Sequence, residues 1–250
     1  MDYDIILTKA SKMEQYAGHG FEVWSDHIID ASYAGLIRDY GEIPQKGMRD
    51  LYGKYKGETV FVCGSGPSLA SCPEKLPGPT IAINRAITKV KADYWGFVDM
   101  EAWRLYGQHE NAKGAAKLFG SGLYIMLKDV APAYLIEACG SPNRYERADN
   151  RPLYFNCNTF SWVIHLAIKM GAKRIVTIGC EFSLTPYFDG FMPQGYEVDR
   201  KQEGLMLIGR DRMLEMFGAD MCQWYDPSVE LLDASGGALP IPKVKLEDVL

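Results

Sequence analysis

The stretch TVFVCGSGPSL, residues 59–69, decides the fold. Thr59, Val60, Phe61, Val62 and Cys63 form a continuous β-branched and apolar run, which predicts a strand buried on both faces, as in a parallel sheet. The run passes at once into Gly64, Ser65, Gly66, Pro67 and Ser68, a tight strand-to-helix loop. Gly64 and Gly66 permit positive φ and close backbone approach, Pro67 suits the first helical position, and Ser68 adds a hydroxyl near free N–H groups that favour an anion. The loop reads either as a phosphate cradle or as a plain tight turn. It is not a Walker loop, because no Gly-Lys-Ser/Thr follows, and it lacks the third glycine of the dinucleotide fingerprint.

Further strand-like runs follow at PTIAIN (79–84), YWGFVD (94–99), GLYIML (122–127), RIVTIG (174–179) and VELLD (229–233). Between them, residues 159–170 predict a helix stopped by Gly171, and residues 203–217 a second closed by Gly218. Strands alternating with helices predict an α/β fold for residues 58–250: a Rossmann-like, mostly parallel sheet with helices on both faces. Residues 1–57 read as an N-terminal extension with a helix over 45–55 ending at Gly57. Residues 138–158 read as a long polar link, a candidate flap.

The 250 residues are 47% hydrophobic and 24% charged, which excludes disorder, collagen and coiled coil. With 32 acidic and 27 basic residues the net charge is −5, so general coating of nucleic acid is not expected. The longest apolar run, residues 160–171, carries His165 and Lys169 and is too short to cross a bilayer. The opening MDYDIILTKASK lacks the basic region of a secretory signal, which predicts a soluble cytoplasmic protein. Cysteines 63, 72, 139, 157, 180 and 222 form no C-x-x-C pair, and histidines 19, 27, 109 and 165 are dispersed, so no metal cage can be spelled from them.

Ligands of such sheets collect at the carboxyl ends of the strands. That rule marks residues 64–68, Asn84 with Arg85, residues 99–101, and residues 180–183. Asn84 offers donor and acceptor to a base edge or ribose, or serves as a turn residue. Asp99 and Glu101 have the spacing to share Mg²⁺ or activate a hydroxyl, or Asp99 caps a helix starting near Ala102. Glu181, Ser183, Tyr187 and Asp189 beyond RIVTIG suit an acceptor pocket. Arg144, Arg147 and Arg151, with Tyr145 and Tyr154, form either a phosphate or base clamp or a solvated face.

In order along the chain, VFVCGSGPSL, TIAINRAI, DYWGFVDMEAW, NTFSWVIHLAIKMGAKRIVTIGCEFS and LLDASGGALPIPKVKLEDVL resemble the Rossmann-like family of archaeal 6-hydroxymethylpterin pyrophosphokinases and bacterial motility accessory factors. The G-x-G-P-S-L opening and the acid-Phe-Ser strand end also resemble bacterial sialyltransferases that use a CMP-activated sugar. The resemblance covers roughly residues 57–250. It implies a nucleotide-handling transferase in which Gly64, Ser65, Gly66, Pro67, Ser68, Asn84 and Arg85 hold the nucleotide. Thr159 and Ser161 stand where the sialyltransferases have a Thr-Ser-Gly helix start contacting the nucleotide sugar. Two departures stand out: Glu181 replaces the usual aspartate, and no histidine follows His165 to act as the downstream base. The base is then a carboxylate from Asp99, Glu101, Asp189, Glu197 or Asp199, with Glu181, Ser183 and Tyr187 facing the acceptor.

The leading expectation is a glycosyltransferase with a nucleotide-sugar donor, CMP-linked for preference, acting on a glycan, protein or small-molecule hydroxyl. Mg²⁺ is an optional ion, no firm metal site is predicted, and a homo-oligomer is compatible with the sequence. The alternatives are a Mg²⁺-dependent pyrophosphokinase of the pterin type, with Asp99 and Glu101 holding the ion, and a non-catalytic nucleotide-binding or assembly protein.

Overall fold

Along the first strand of the decisive stretch, Val60 and Val62 enter one apolar cluster while Phe61 and Cys63 enter another, so both faces of this strand are covered. The structure is a computed structural model that describes residues 46–120, 123, 127, 130, 132–136, 138–139, 153–154, 159–182, 186–191, 226–237 and 239–250. Ten strands are described: β1 (Lys46–Gly47), β2 (Thr59–Cys63), β3 (Thr80–Ile83), β4 (Tyr94–Gly96), β5 (Ala116–Gly120), β6 (Ala133–Ile136), β7 (Ala138–Cys139), β8 (Leu153–Tyr154), β9 (Arg174–Ile178) and β10 (Glu230–Asp233). Eight of them form one sheet in the order β1-β6-β5-β4-β3-β2-β9-β10, and every pairing is parallel. β7 and β8 pair separately within the expected link.

The helices are α1 (Met100–Tyr106), α2 (Glu110–Gly114) and α3 (Thr159–Lys169). Every residue of α3 is buried, the polar Ser161, His165 and Lys169 at four-residue spacing included. It packs with Val60, Val62, Ile81 and Ile175 on one side of the sheet, whereas Ala102 of α1 and Ala112 of α2 join Phe61, Trp95 and Val176 on the other. The expected α/β architecture with helices on both faces is therefore present.

Two expectations about elements need correction. Residues 45–55 are not an α-helix: β1 adds to the sheet edge beside β6, and a single 3-10 turn, Met48–Leu51, buries Met48 and Leu51 completely. The amides of Gly53, Tyr55 and Gly57 then donate to the carbonyls of Lys169, Met170 and Gly171. These are the carbonyls that a helix C-terminus leaves unpaired, so the segment is held by capping α3 instead of by its own helix. Met48 and Leu51 join the core cluster of α3 and the sheet, and Tyr52 and Tyr55 pack against it. Of GLYIML, the described members Leu123 and Leu127 are buried and lie in helical turns instead of a strand, and the strand that follows β4 is AKLFG, β5. The other strand runs and the helix starting at Thr159 fall where expected, with Gly171 at φ +90° ending α3.

From β2 the chain runs outward through β3, β4, β5 and β6, then returns to lay β9 and β10 on the other side of β2. The order reverses between β2 and β9, and their carboxyl ends, Cys63 and Ile178, are in register. This is the crevice where open parallel sheets receive ligands.

Candidate functional site

The glycine loop leaves β2 and closes on the end of β9. The amide of Gly64 donates to Ile178 O (2.8 Å), that of Gly66 to Gly179 O (2.7 Å), and that of Gly179 to Ser68 Oγ (2.9 Å). Neither Gly64 nor Gly66 uses positive φ; Gly66 sits at φ −70°, ψ 171°. Their need for hydrogen at Cα is spatial. A Cβ on Gly64 would overlap the carbonyl oxygen of Gly179, and one on Gly66 would overlap Glu181 Oε2. Pro67 opens a 3-10 turn, Pro67–Ser71, at its first position, as expected.

Glu181 reaches across this loop. Its Oε1 accepts the amide of Ser68 at 2.6 Å, its Oε2 is buried without a hydrogen-bond partner, and the residue is 8% exposed. The amides of Gly66 and Ser68 are thus already engaged, and the anion against the loop is the protein's own carboxylate. Glu181 was expected at an acceptor; the structure places it on the glycine loop.

One strand beyond, Asn84 follows β3 directly, in the left-handed region at φ 48°. Its backbone carbonyl accepts Trp95 Nε1–H at 2.9 Å, and its side-chain Oδ1 is buried with no partner. Arg85 follows it. The guanidinium donates from Nε to Asp189 Oδ2 (2.7 Å) and from NH1 to the Tyr106 hydroxyl (3.2 Å), and it lies 4.2 Å from the Phe191 ring centroid and 5.7 Å from those of Tyr106 and Tyr187. The turn carrying Asp189 is pinned to the glycine loop by the Phe188 amide donating to Ser65 O at 3.1 Å. Arg85, expected from one motif, and Tyr187 and Asp189, expected from another, therefore meet.

Asp99 sits at the N-terminus of α1 and accepts the amide of Ala102 through Oδ1 at 2.9 Å. Glu101 lies exposed in the same first turn, where a carboxylate complements the helix dipole. The acid pair thus has the helix-capping geometry, and among the described residues no group of three or more His, Cys, Asp or Glu side chains is arranged to hold a metal ion. Thr159 and Ser161 are buried in the first turn of α3, 4% and 2% exposed, where Phe160 meets Phe182 edge-on at 5.1 Å. Ser183, Glu197, Asp199, the arginines 144, 147 and 151, Tyr145 and residues 203–217 lie outside the described residues.

Sequence reasoning passed over the end of β10. Asp233 is fully buried and accepts from Thr177 Oγ1 (3.0 Å), the Ser235 amide (2.8 Å) and Lys243 Nζ. Ser235 Oγ receives the Cys180 amide at 3.0 Å, and Gly237 packs so tightly on Glu181 that a Cβ there would lie 2.7 Å from its carbonyl oxygen. The strand-end rule would have found this loop, since VELLD is followed by Ala-Ser-Gly-Gly. Burial, with Asp233 and Glu181 nearby, pushes the Cys180 thiol well above its ordinary range. A hydrogen bond between the thiols at the two ends of the glycine loop lowers Cys72 and raises Cys63, which burial raises further. An open groove of about 680 Å³ beside Lys89, Lys91 and His109 holds none of the expected site residues.

No family model matches the chain, and no curated protein matches it in sequence. Among solved structures the fold is similar to the MAf glycosyltransferase of Magnetospirillum magneticum AMB-1, with a TM-score of 0.52 at 11% identity. The match covers 88% of this chain and 42% of that one, so the chain spans about two-fifths of the length of the structure it resembles. At that identity the likeness is one of fold, and it agrees with the motif order that resembles motility accessory factors. Among the described residues, no helix is long and apolar enough to cross a membrane.

Proposed function

We propose that the protein is a glycosyltransferase that draws on a nucleotide sugar, with a CMP-linked donor favoured, and transfers the sugar to a hydroxyl of a glycan, protein or small molecule. One observation carries this reading: two buried side-chain oxygens without partners, Asn84 Oδ1 and Glu181 Oε2, stand at the carboxyl ends of the strands that flank β2. A buried acceptor is costly unless it meets a donor. A nucleoside brings donors at two places, the exocyclic amine of the base and the ribose hydroxyls. The ends of β3 and β9 are two strand spacings apart, about 10 Å, close to the length of a nucleoside. The fold likeness to a protein described as a glycosyltransferase supports the same class. In this reading Asn84 takes the base edge, Glu181 the ribose, and the glycine loop the close approach of the nucleoside, while Asp189 or Glu197 serves as the base for the acceptor hydroxyl.

Calorimetric titration of CMP, UDP, GDP and ATP, each in EDTA and then in Mg²⁺, tests it. CMP is expected to bind in EDTA. Asn84→Gly, which suits the positive φ while removing the carboxamide, should weaken that binding by about 1–3 kcal/mol. Binding of ATP that requires Mg²⁺, with no binding of CMP, UDP or GDP, would replace the reading with the pyrophosphokinase.

A further inference from the structure

A departing nucleotide phosphate needs positive charge or free amides beside it. The amides of Gly66 and Ser68 are engaged by Gly179 O and by the Glu181 carboxylate, which would also repel a phosphate placed on the loop. Two cations of the described chain stand near these strand ends. Lys243 is held by the fully buried Asp233 and by Leu239 O at 2.7 Å. Arg85 is held differently: Asp189 is 33% exposed, Arg85 18%, and such ion pairs contribute little net stability. The rings of Phe191, Tyr106 and Tyr187 also hold the guanidinium, and Asp189 keeps its Oδ1 on the Phe191 amide (3.2 Å), so only Oδ2 is committed to Arg85. The Phe188 amide on Ser65 O keeps the turn bearing Asp189 beside the glycine loop.

We propose that Arg85 is the donor-phosphate ligand and that the Asp189 carboxylate occupies its phosphate site in the absence of donor, the two anions exchanging on the one guanidinium. This rests on the nucleotide-sugar reading above. The forked N–H groups of arginine donate to a carboxylate and to a phosphate in the same geometry; a CMP-linked donor presents one charge on two free phosphate oxygens and the departing CMP more charge on three, so the arginine holds the phosphate most strongly as it leaves the sugar. Exchange frees the Asp189 carboxylate beside a bound donor and not before. Donor arrival and the availability of an anionic side chain at the acceptor side are thereby coupled through one residue.

The test compares CMP with cytidine, which lacks the phosphate, on the full chain by calorimetry. Asp189→Asn removes the competing charge with little change in shape, and CMP should bind about three- to tenfold more tightly, as expected when a weak exposed ion pair no longer competes. Cytidine affinity should stay unchanged. Arg85→Met should weaken CMP by about tenfold or more with cytidine again unchanged, the loss expected for a charged hydrogen-bonding partner. Arg85→Lys should fall between, and melting curves identify any variant that has lost its fold. If CMP binds the unaltered chain but neither Asp189→Asn nor the Arg85 variants shift it relative to cytidine, the exchange is wrong and the nucleotide reading stands. If neither CMP nor cytidine binds, the nucleotide reading itself fails and the exchange with it.

Discussion

Gly66→Ala is the sharpest probe of how this site is built. Gly66 has φ −70° and ψ 171°, a conformation that alanine adopts freely, so the backbone contributes no strain. The entire penalty comes from the new methyl group, which would overlap Glu181 Oε2, lie 2.7 Å from Glu181 Cδ and 2.9 Å from Gly179 O. Glu181 has to swing away and release the Ser68 amide that it accepts at 2.6 Å. Loss of that hydrogen bond to a charged group costs about 1.5–3 kcal/mol, and residual crowding against Gly179 O adds about 1–3 kcal/mol. The expected total is about 2.5–6 kcal/mol, a large share of the roughly 5–15 kcal/mol by which domains are stable.

Because the carboxylate is the first obstacle, removing it should rescue part of the damage. Glu181→Ala leaves the Ser68 amide without its acceptor but also removes a buried oxygen that has no partner, so its own cost is small, about 1 kcal/mol. In that background Gly66→Ala meets only Gly179 O, and the double-mutant cycle should return a coupling of about 1.5–3 kcal/mol. Urea unfolding of the four proteins measures it. Gly53→Ala is the control: a Cβ there has open space within 4 Å but φ is +71°, so it costs about 1 kcal/mol irrespective of Glu181. Additivity of Gly66→Ala and Glu181→Ala within about 0.5 kcal/mol would show that Glu181 does not lie on the glycine loop in solution.

Asp99→Ala should lower stability by about 0.5–2 kcal/mol through loss of the α1 cap, whereas Asp99→Asn, a comparable cap, should cost far less; equal losses would remove the capping role. Asp233→Ala leaves the Thr177 hydroxyl, the Ser235 amide and Lys243 without their shared acceptor and should cost about 3 kcal/mol in urea unfolding; a change below about 1 kcal/mol would contradict the buried network. Burial raises the phenol pKa values of both Tyr55 and Tyr94 above the ordinary value of 10.0. Between that value and their folded values the folded chain holds protons that the unfolded chain releases, so their contribution is complete below pH 10 and is lost as the pH climbs above it. Tyr55→Phe should make the decline above pH 10 shallower, and unchanged slopes would refute the assignment.

The central strands were readable because a strand buried on both faces needs no alternation, and TVFVC and RIVTIG are unbroken apolar runs. The same reasoning read Leu123 and Leu127 as strand residues, since a short apolar run fits a buried helical turn equally well. It also missed AKLFG, where Lys117 sits mid-strand; its residue is 3% exposed and its Nζ reaches Lys113 O, which sequence does not disclose. Residues 46–57 were read as an extension because what orders them is the row of carbonyls at the end of α3, more than a hundred residues later.

The same distinction governs the site. The strand-end rule marked Gly66, Asn84, Arg85 and Glu181 one by one, and Asp189 was read in the loop beyond, but their pairings join residues 113 apart for Ser68 and Glu181 and 104 apart for Arg85 and Asp189. Those pairings follow from β9 lying beside β2 in register, a consequence of the strand order and not of any local motif. A glycine loop that cradles phosphate and one that packs on a neighbouring strand have the same local requirement for missing side chains. What separates them is the charge that the neighbouring strand delivers. Here β9 delivers a carboxylate to the loop, and β3 delivers an arginine two positions past its end; in the exchange we propose, the anion ligand is therefore Arg85 and not the glycine amides.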